Sequence, residues 1–427
     1  MTKGKCLSDY AIAGIGSIIR DLRLLSDDPL KLERKITSGA TELPAGLFRP
    51  SLHVAQPNKP ARVGDLVLFQ MKNSNMAFPH METIWGGKCF LDEHRYYIGV
   101  LCERSSSKFF TAQFIHPIRL DSENDFQLVA QAGGIGFATG CSPQVETESG
   151  HKVASDVKVI GAITDRERGG ATVNIDQILG CFSWVTPTGS VPTILCLGTS
   201  TNVGKSTMVA GLARSISRQA RIVGIKASGT AGWEDSQIHI DGGADISFGA
   251  TMVGLPTTYR MKDKTYQERA AQMMALAACP DAIPDVLRPP HLRGQSLSIP
   301  DFRIVEHGGD LIEAGIPAYL RSADLMRTVS KIIVCSESAV SLIGALSLLR
   351  TWLAEAQTTP EIFCSMPLSN PEGFFNRIRH LLDNGSLAGI IDPSKPVLPD
   401  ARDRRLRYTI NYDRILSAND FAKTLVS

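Results

Sequence analysis

The sequence predicts an α/β protein. A C-terminal domain with a mostly parallel sheet flanked by helices is preceded by a smaller, β-rich, barrel-like domain with a helical N-terminal segment. Three observations predict this. From residue 193 onward, short apolar runs alternate with helical patterns, the signature of strand–helix–strand units. Between 46 and 185, β-type runs alternate with turns instead. Near the start of the second pattern lies a glycine-rich loop, Gly198-Thr-Ser-Thr-Asn-Val-Gly-Lys-Ser-Thr207.

The chain has 427 residues, enough for two domains. The expected division is 1–188 and 189–427. Residues 10–22 place apolar side chains at helical spacing, and Ser26-Asp-Asp-Pro29 reads as a helix start. The β-type runs begin at Asp65, Tyr96, Lys108 and Lys158, and Gly133-Gly-Ile-Gly136 reads as a turn. Residues 186–192 form a polar linker with two prolines. Strands are expected at 193–197, 221–226, 309–313, 331–335 and 361–364. Helices are expected at 205–219, 265–279, 338–356 and 371–383.

Composition narrows the function. The sequence is 43% hydrophobic and 21% charged, ordinary for a globular protein. Lys and Arg number 45 against 43 Asp and Glu, so a dedicated nucleic-acid binder is not expected. No apolar run approaches the roughly 20 residues of a membrane helix, and no apolar stretch follows the N-terminal lysines. No membrane partner is expected, and the expected location is the cytoplasm. The nine cysteines form no C-x-x-C pair. Several lie inside apolar runs, as buried free thiols do. The basic run 402–407 reads as a solvated face.

The loop carries the chemistry. It follows the apolar run Thr193-Ile-Leu-Cys-Leu197 and opens a helical pattern. That order is the context in which a phosphate loop works. Gly198 and Gly204 let backbone N–H groups face phosphate oxygens. Thr199, Asn202, Val203 and Thr207 complete the cradle, and the helix N-terminus adds partial positive charge. Lys205 reaches the outer phosphates, and Ser206 supplies a hydroxyl for Mg²⁺. The expected cofactors are ATP and Mg²⁺. Five residues, not the usual four, separate the two glycines.

In that spacing, GTSTNVGKST resembles the GTDTxVGKT loop of dethiobiotin synthetase. It is also similar to loops of the cobyrinic-acid amide synthases, the MinD-type ATPases and the molybdopterin-guanine-dinucleotide accessory ATPases. Val223-Gly-Ile-Lys-Ala-Ser-Gly-Thr230 looks like the dethiobiotin synthetase strand that ends in lysine before a Ser-Gly loop, two residues shorter here. The chain is also similar to bacterial P-loop proteins of unsettled function that have a small β-domain, then GTSxNxGKTT, K-x-T-G-T, G-G-D and D-A-G-A. The matching stretches here are 226–230, 232–235 and 241–244.

The resemblance implies an ATP-dependent ligase or kinase that phosphorylates a small-molecule carboxylate or carbamate. It implies Lys226 at the triphosphate and Asp235 on Mg²⁺. It also implies Glu313, at the end of the third core strand, as a second Mg²⁺ ligand, with Glu337 as the competitor for that place. Ser228, Thr230 and Asp241 become substrate candidates, although Asp241 equally reads as a cap for the stretch after it. Trp233, His239 and His307 read as packing or surface. A homodimer is expected. The alternative is a nucleotide switch or accessory ATPase. Those relatives carry an extra lysine early in the loop, where this chain has Gly198-Thr-Ser-Thr.

Overall fold

The computed structural model describes residues 5–392 and 414–426, less 8–9, 11, 17–49, 56–59, 73–79, 84–86, 94, 107–108, 121–125, 143–153, 177–189, 231, 284–291, 293 and 368–370. The expected helix start at 26–29, most of the linker at 186–192 and the basic run 402–407 lie outside the described residues. The described residues fall into two units. One takes in Met1–Ser183 with Gly229–Glu234 and Ala250–Arg260. The other takes in Trp184–Ser228, Asp235–Gly249 and Met261–Ser427.

The first unit is built on a closed sheet. The strands of the unit are β1 (Lys5–Cys6), β2 (Ile12–Ile15), β3 (Leu52–Ala55), β4 (Leu66–Met71), β5 (His80–Glu82), β6 (Lys88–Phe90), β7 (Tyr96–Leu101), β8 (Phe110–Ala112), β9 (Phe126–Ala130), β10 (Gly134–Gly136), β11 (Ala138–Cys141), β12 (Ser155–Asp165) and β13 (Ala171–Thr172); β5 with β6 and β8 with β11 form separate two-stranded sheets. β12 pairs with β4, β4 with β7, β7 with β10, β10 with β9, and β9 again with β12. The ring therefore closes, as expected for a barrel. Alternate residues of its strands serve two apolar clusters. Val67, Phe69, Tyr97, Leu128 and Val157 share one, and Leu66, Leu68, Ile98 and Val100 share the other with Leu7, Leu52 and Ile175. Both faces of β4 and β7 are buried, so these strands read as continuous apolar runs.

Two expectations are corrected here. Ile12–Ile15 is a strand parallel to β7, not part of a helix. A four-residue strand buried throughout carries no periodicity to tell it from helix. Gly134–Gly136 is β10 rather than a turn. Its glycines admit close neighbours: a Cβ on Gly134 would lie 2.5 Å from Cys102 Sγ.

The second unit is a parallel sheet of eight strands. They are β14 (Thr193–Gly198), β15 (Ile222–Ser228), β16 (Ile246–Gly249), β17 (Phe302–His307), β18 (Val329–Cys335), β19 (Glu361–Ser365), β20 (Gly389–Asp392) and β21 (Ile415–Ser417), in the order β16-β15-β17-β14-β18-β19-β20-β21. The helices are α1 (Lys205–Ile216), α2 (Trp233–Asp241), α3 (Asp263–Ala278), α4 (Ile316–Arg321), α5 (Ala323–Met326), α6 (Ala339–Glu355), α7 (Pro371–Asp383) and α8 (Ala418–Val426). β14 is wholly buried at the centre. α1 lays Met208, Val209, Leu212 and Ile216 into a core shared with Ile194, Ile304, Ile333 and Phe421.

The connection from β17 to β18 passes over β14, so the strand order reverses there. Open parallel sheets bind ligands beyond the carboxyl ends of the strands at such a point. The expected strand at 309–313 is corrected to Phe302–His307, and Gly309–Glu313 is the turn that follows it. β16, β20, β21, α2, α4, α5 and α8 match no expected element.

Candidate phosphate and metal site

The loop between β14 and α1 is shaped by its own lysine. Lys205 is buried and folds back, donating from Nζ to Ser200 O at 2.8 Å and Gly309 O at 3.0 Å. A Cβ on Gly198 would lie 2.7 Å from that Nζ and 2.8 Å from Val203 Cγ1, which is why glycine stands there. Gly204 has φ +92° and Asn202 φ +60°. These left-handed residues turn the chain into α1, whose N-cap is Gly204 with no side-chain cap. The free N–H groups of the first turn are left for an anion. Thr199 is held on β18 by its N–H to Cys335 O at 3.0 Å and its hydroxyl to Ser336 Oγ at 3.3 Å. Burial foremost, then repulsion from Lys226, hold the Lys205 ammonium below its ordinary pKa, and attraction to Glu306 only partly offsets this.

Beside the loop lies a buried polar network centred on Glu306, a residue not among the expected ligands. Glu306 is fully buried on β17, directly across from Lys226 on β15. Its Oε1 accepts from Lys226 Nζ at 2.5 Å and from Ser206 Oγ at 2.9 Å, and its Oε2 meets His239 Nε2 at 2.9 Å. Asp235 closes the group: Lys226 Nζ lies 3.0 Å from Oδ2, and Ser206 Oγ lies 3.1 Å from Oδ1. The single hydroxyl proton of Ser206 thus faces two carboxylates. Burial alone would raise the Glu306 carboxyl, but Lys226 and His239 overcome it and hold it well below the usual carboxylate range. Burial would likewise lower Lys226, but Asp235 and Glu306 outweigh it and raise its pKa.

Local structure explains the convergence. β15 and β17 are parallel neighbours in register, so Lys226 and Glu306 point to the same face. α2 carries Asp235 and His239 four residues apart, on one face of the helix. Signals for both missed residues were present. Val305-Glu306-His307-Gly308-Gly309 fits the V-E-G-A-G pattern better than the stretch around Glu313 does. His239 stands one helical turn beyond Asp235.

The other expected residues are placed differently. Glu313 lies in the turn ahead of α4, its carboxylate over Gly309, because the strand it was expected to end is not there. Glu337 is exposed, two residues past β18. Ser228 is 2% exposed and turned inward, its hydroxyl 3.0 Å from His307 Nδ1 and 3.4 Å from Gly308 O. Thr230 belongs to the first unit, where it bridges Thr257. Asp241 is the last residue of α2 and accepts from Gln237 at 2.8 Å. It does not cap a following helix. Gly242 and Gly243, the residues that follow, lie against Ala210 of α1 and Ser217 just past that helix, away from the phosphate loop. Two residues expected to be packing or surface are both buried: His239 joins Glu306, and His307 packs edge-on to Tyr319 at 4.9 Å. Burial first, then the charge of Lys226, depress the His307 imidazole to about 3. Its Nε2 is buried without a hydrogen-bond partner.

All eight cysteines among the described residues are free thiols, and Cys196 and Cys335 approach to 3.9 Å beneath the loop. Among the described residues no helix is long and apolar enough to cross a membrane.

No family model matches the chain, and no curated protein matches it. Solved structures do. A plasmid partition protein of Borrelia burgdorferi bound to AMPPNP is 11% identical over 56% of this chain and 97% of its own, with a TM-score of 0.32. FtsY of Thermotoga maritima is 16% identical over 59% and 74%, at 0.29. A McdA–ATP complex from Cyanothece is 13% identical over 48% and 83%, at 0.26. Likeness at this level carries no inference about activity.

Proposed function

We propose that the second unit binds a nucleoside triphosphate with Mg²⁺ and cleaves its terminal phosphoryl bond. One observation carries this reading. A glycine loop at the carboxyl end of a central parallel strand brings Lys205 and Ser206 beside Asp235, Glu306 and Lys226. The donor set fits a hard cation: a hydroxyl and two carboxylates are oxygen ligands, and Mg²⁺ takes one or two carboxylates together with phosphate oxygens and water. Ser206, Asp235 and Glu306 would hold it. Bound there, Mg²⁺ supplies charge neutralisation for the transferring phosphoryl group.

The chain's own residues do the rest. The N–H groups at the start of α1 orient the phosphates. Lys205 exchanges two backbone carbonyls for phosphate oxygens. Lys226, now neutralising Asp235 and Glu306, becomes available to the phosphate when a cation satisfies those carboxylates. Charge placed where charge develops lowers the barrier to phosphoryl transfer. ATP is the nucleotide the loop's resemblance implies.

A nucleotide-hydrolysing switch or accessory ATPase fits this geometry best. Two of the residues expected to hold a small substrate are otherwise engaged: Ser228 is turned inward onto His307, and Asp241 ends α2 and accepts from Gln237. A second reading, activation of a small-molecule carboxylate as in dethiobiotin synthetase, is favoured by Lys226 at a strand end and by the absence of lysine at Thr199–Thr201.

Titration with a fluorescent ATP analogue, with and without Mg²⁺, tests the common core. Lys205→Ala should weaken binding about 10- to 100-fold, the loss of a charged hydrogen-bond donor worth about 1.5–3 kcal/mol. Undiminished binding by that variant would sink the proposal. Release of ADP measured across carboxylate and amine metabolites separates the two readings, since only the second requires stimulation by a small molecule.

A further inference from the structure

We propose that His239 is a positioning residue for the metal site, fixing the Glu306 carboxylate so that one oxygen stays aimed at Ser206. The inference rests on the Mg²⁺–nucleotide reading above. His239 has no exposure, and its two nitrogens each have one partner: Nε2 lies 2.9 Å from Glu306 Oε2 and Nδ1 3.1 Å from Ser247 Oγ. An ionised carboxylate only accepts, so Nε2 carries the hydrogen. The Ser247 hydroxyl, on β16, then orients the far side of the ring.

The ring has a prepared seat. It lies against β15 at Gly224, where an added Cβ would come within 2.7 Å of Nδ1 and 2.9 Å of the His239 Cβ. From the other direction, α2 ties His239 to Asp235, which itself reaches Ser206 and Lys226. His239 therefore holds the carboxylate from behind while the opposite oxygen meets the hydroxyl and the ammonium. Without it, Glu306 is free to rotate and chelate Lys226 through both oxygens, which would draw it from Ser206. Partners that orient a metal-binding carboxylate in this way typically govern affinity about 10- to 100-fold.

The test is the Mg²⁺ concentration at which tight nucleotide binding is half-achieved, read with a fluorescent ATP analogue, and Mn²⁺ binding in the same complexes read by electron paramagnetic resonance. His239→Leu should raise both midpoints about 10- to 100-fold, while binding in EDTA changes less than about twofold. His239→Gln, whose amide N–H can still reach Glu306, should recover most of the loss. Ser247→Ala should shift the midpoint in the same direction by a smaller factor.

A folded His239→Leu protein with wild-type midpoints would overturn the proposal, as would a Gln variant no better than Leu. If the Leu variant does not fold, Gln and Ser247→Ala carry the test. A wild-type midpoint in Ser247→Ala, with Gln no closer to wild type than to the Ser206→Ala protein, would then overturn it. A wild-type protein whose nucleotide binding ignores Mg²⁺ refutes the parent reading instead, and this inference falls with it.

Discussion

Glu306 is the residue on which the site turns, because it is fully buried and serves Ser206, Lys226 and His239 together. Glu306→Gln keeps the shape and removes the charge. It should raise the Mg²⁺ midpoint for nucleotide binding at least about tenfold and lower stability, because unpairing a buried charge costs about 3–5 kcal/mol at the upper end. Glu313→Gln should leave the midpoint unchanged, because the strand-end position is taken by Glu306. Equal effects in the two variants would refute the assignment. His307 bears on pH. It stays neutral in the folded state down to about 3, while the unfolded chain protonates near 6.5. The unfolded state therefore binds the extra proton first, and stability falls with pH between those values. At about pH 5 the loss is about 2 kcal/mol, at 1.36 kcal/mol per unit. The network differs in its window. The lowered Glu306 pKa gives stability that is present above the ordinary carboxylate range and lost only as pH falls through the folded value. The raised Lys226 pKa gives stability present below the ordinary lysine range and lost as pH rises through its folded value. Neither changes between pH 5 and 7. Urea midpoints in EDTA should thus fall from pH 7 to 5 in the wild type and fall less in His307→Asn, whose amide can still meet Ser228.

At the scale of elements, Gly133 and Gly16 bring two backbone segments of the barrel into close approach. Gly133 has φ +92°, and a Cβ there would lie 2.7 Å from Gly16 Cα. Gly133→Ala should destabilise the first unit by about 1–3 kcal/mol from backbone strain alone, with the clash added to it. A melting temperature equal to wild type would show that β10 need not enter so closely. The same elements explain what the sequence disclosed. β14, β18 and β19 were legible because each carries an unbroken apolar run, at 194–197, 332–335 and 362–364. α1, α3, α6 and α7 were legible by period. β17 was not, because Phe302–His307 holds Arg303, Glu306 and His307, which look like solvent-facing residues. All three are buried by specific partners instead: Arg303 donates to Met274 O, Val191 O and Thr328 Oγ1. The more apolar Leu311-Ile312 next to it is only turn. The phosphate loop was readable because its chemistry is contiguous. The Glu306–His239 contact was not, because it joins two positions 67 residues apart through a register that only the folded sheet sets.

At the scale of the molecule, the chain does not divide at one point. Gly229–Glu234 and Ala250–Arg260 follow β15 and β16 yet belong to the first unit. Within it, Glu82 Oε2 accepts from the Trp233 N–H at 3.0 Å, Gln113 Nε2 donates to Tyr259 Oη at 2.9 Å, and Arg260 lies 3.5 Å from Glu103. Thr230 bridges Thr257, joining the two stretches. A fragment beginning at Trp184 would carry both stretches without Glu82, Glu103 or Gln113. Its central strands should keep their amide protection, because β14, β17 and β18 pair among themselves. Protection should be lost at Trp233, whose N–H loses its Glu82 acceptor, and should fall in 250–260, where the Tyr259 and Arg260 side chains lose their anchors and local opening costs less. Asp235 follows the first of these stretches directly, so its hold on Ser206 and Lys226 should loosen and the Mg²⁺ midpoint should rise in the fragment. Hydrogen exchange read by mass spectrometry on the fragment and the full chain decides the matter. Equal protection of both stretches would mean that they order without the first unit, and that a cut at Trp184 is a true domain boundary.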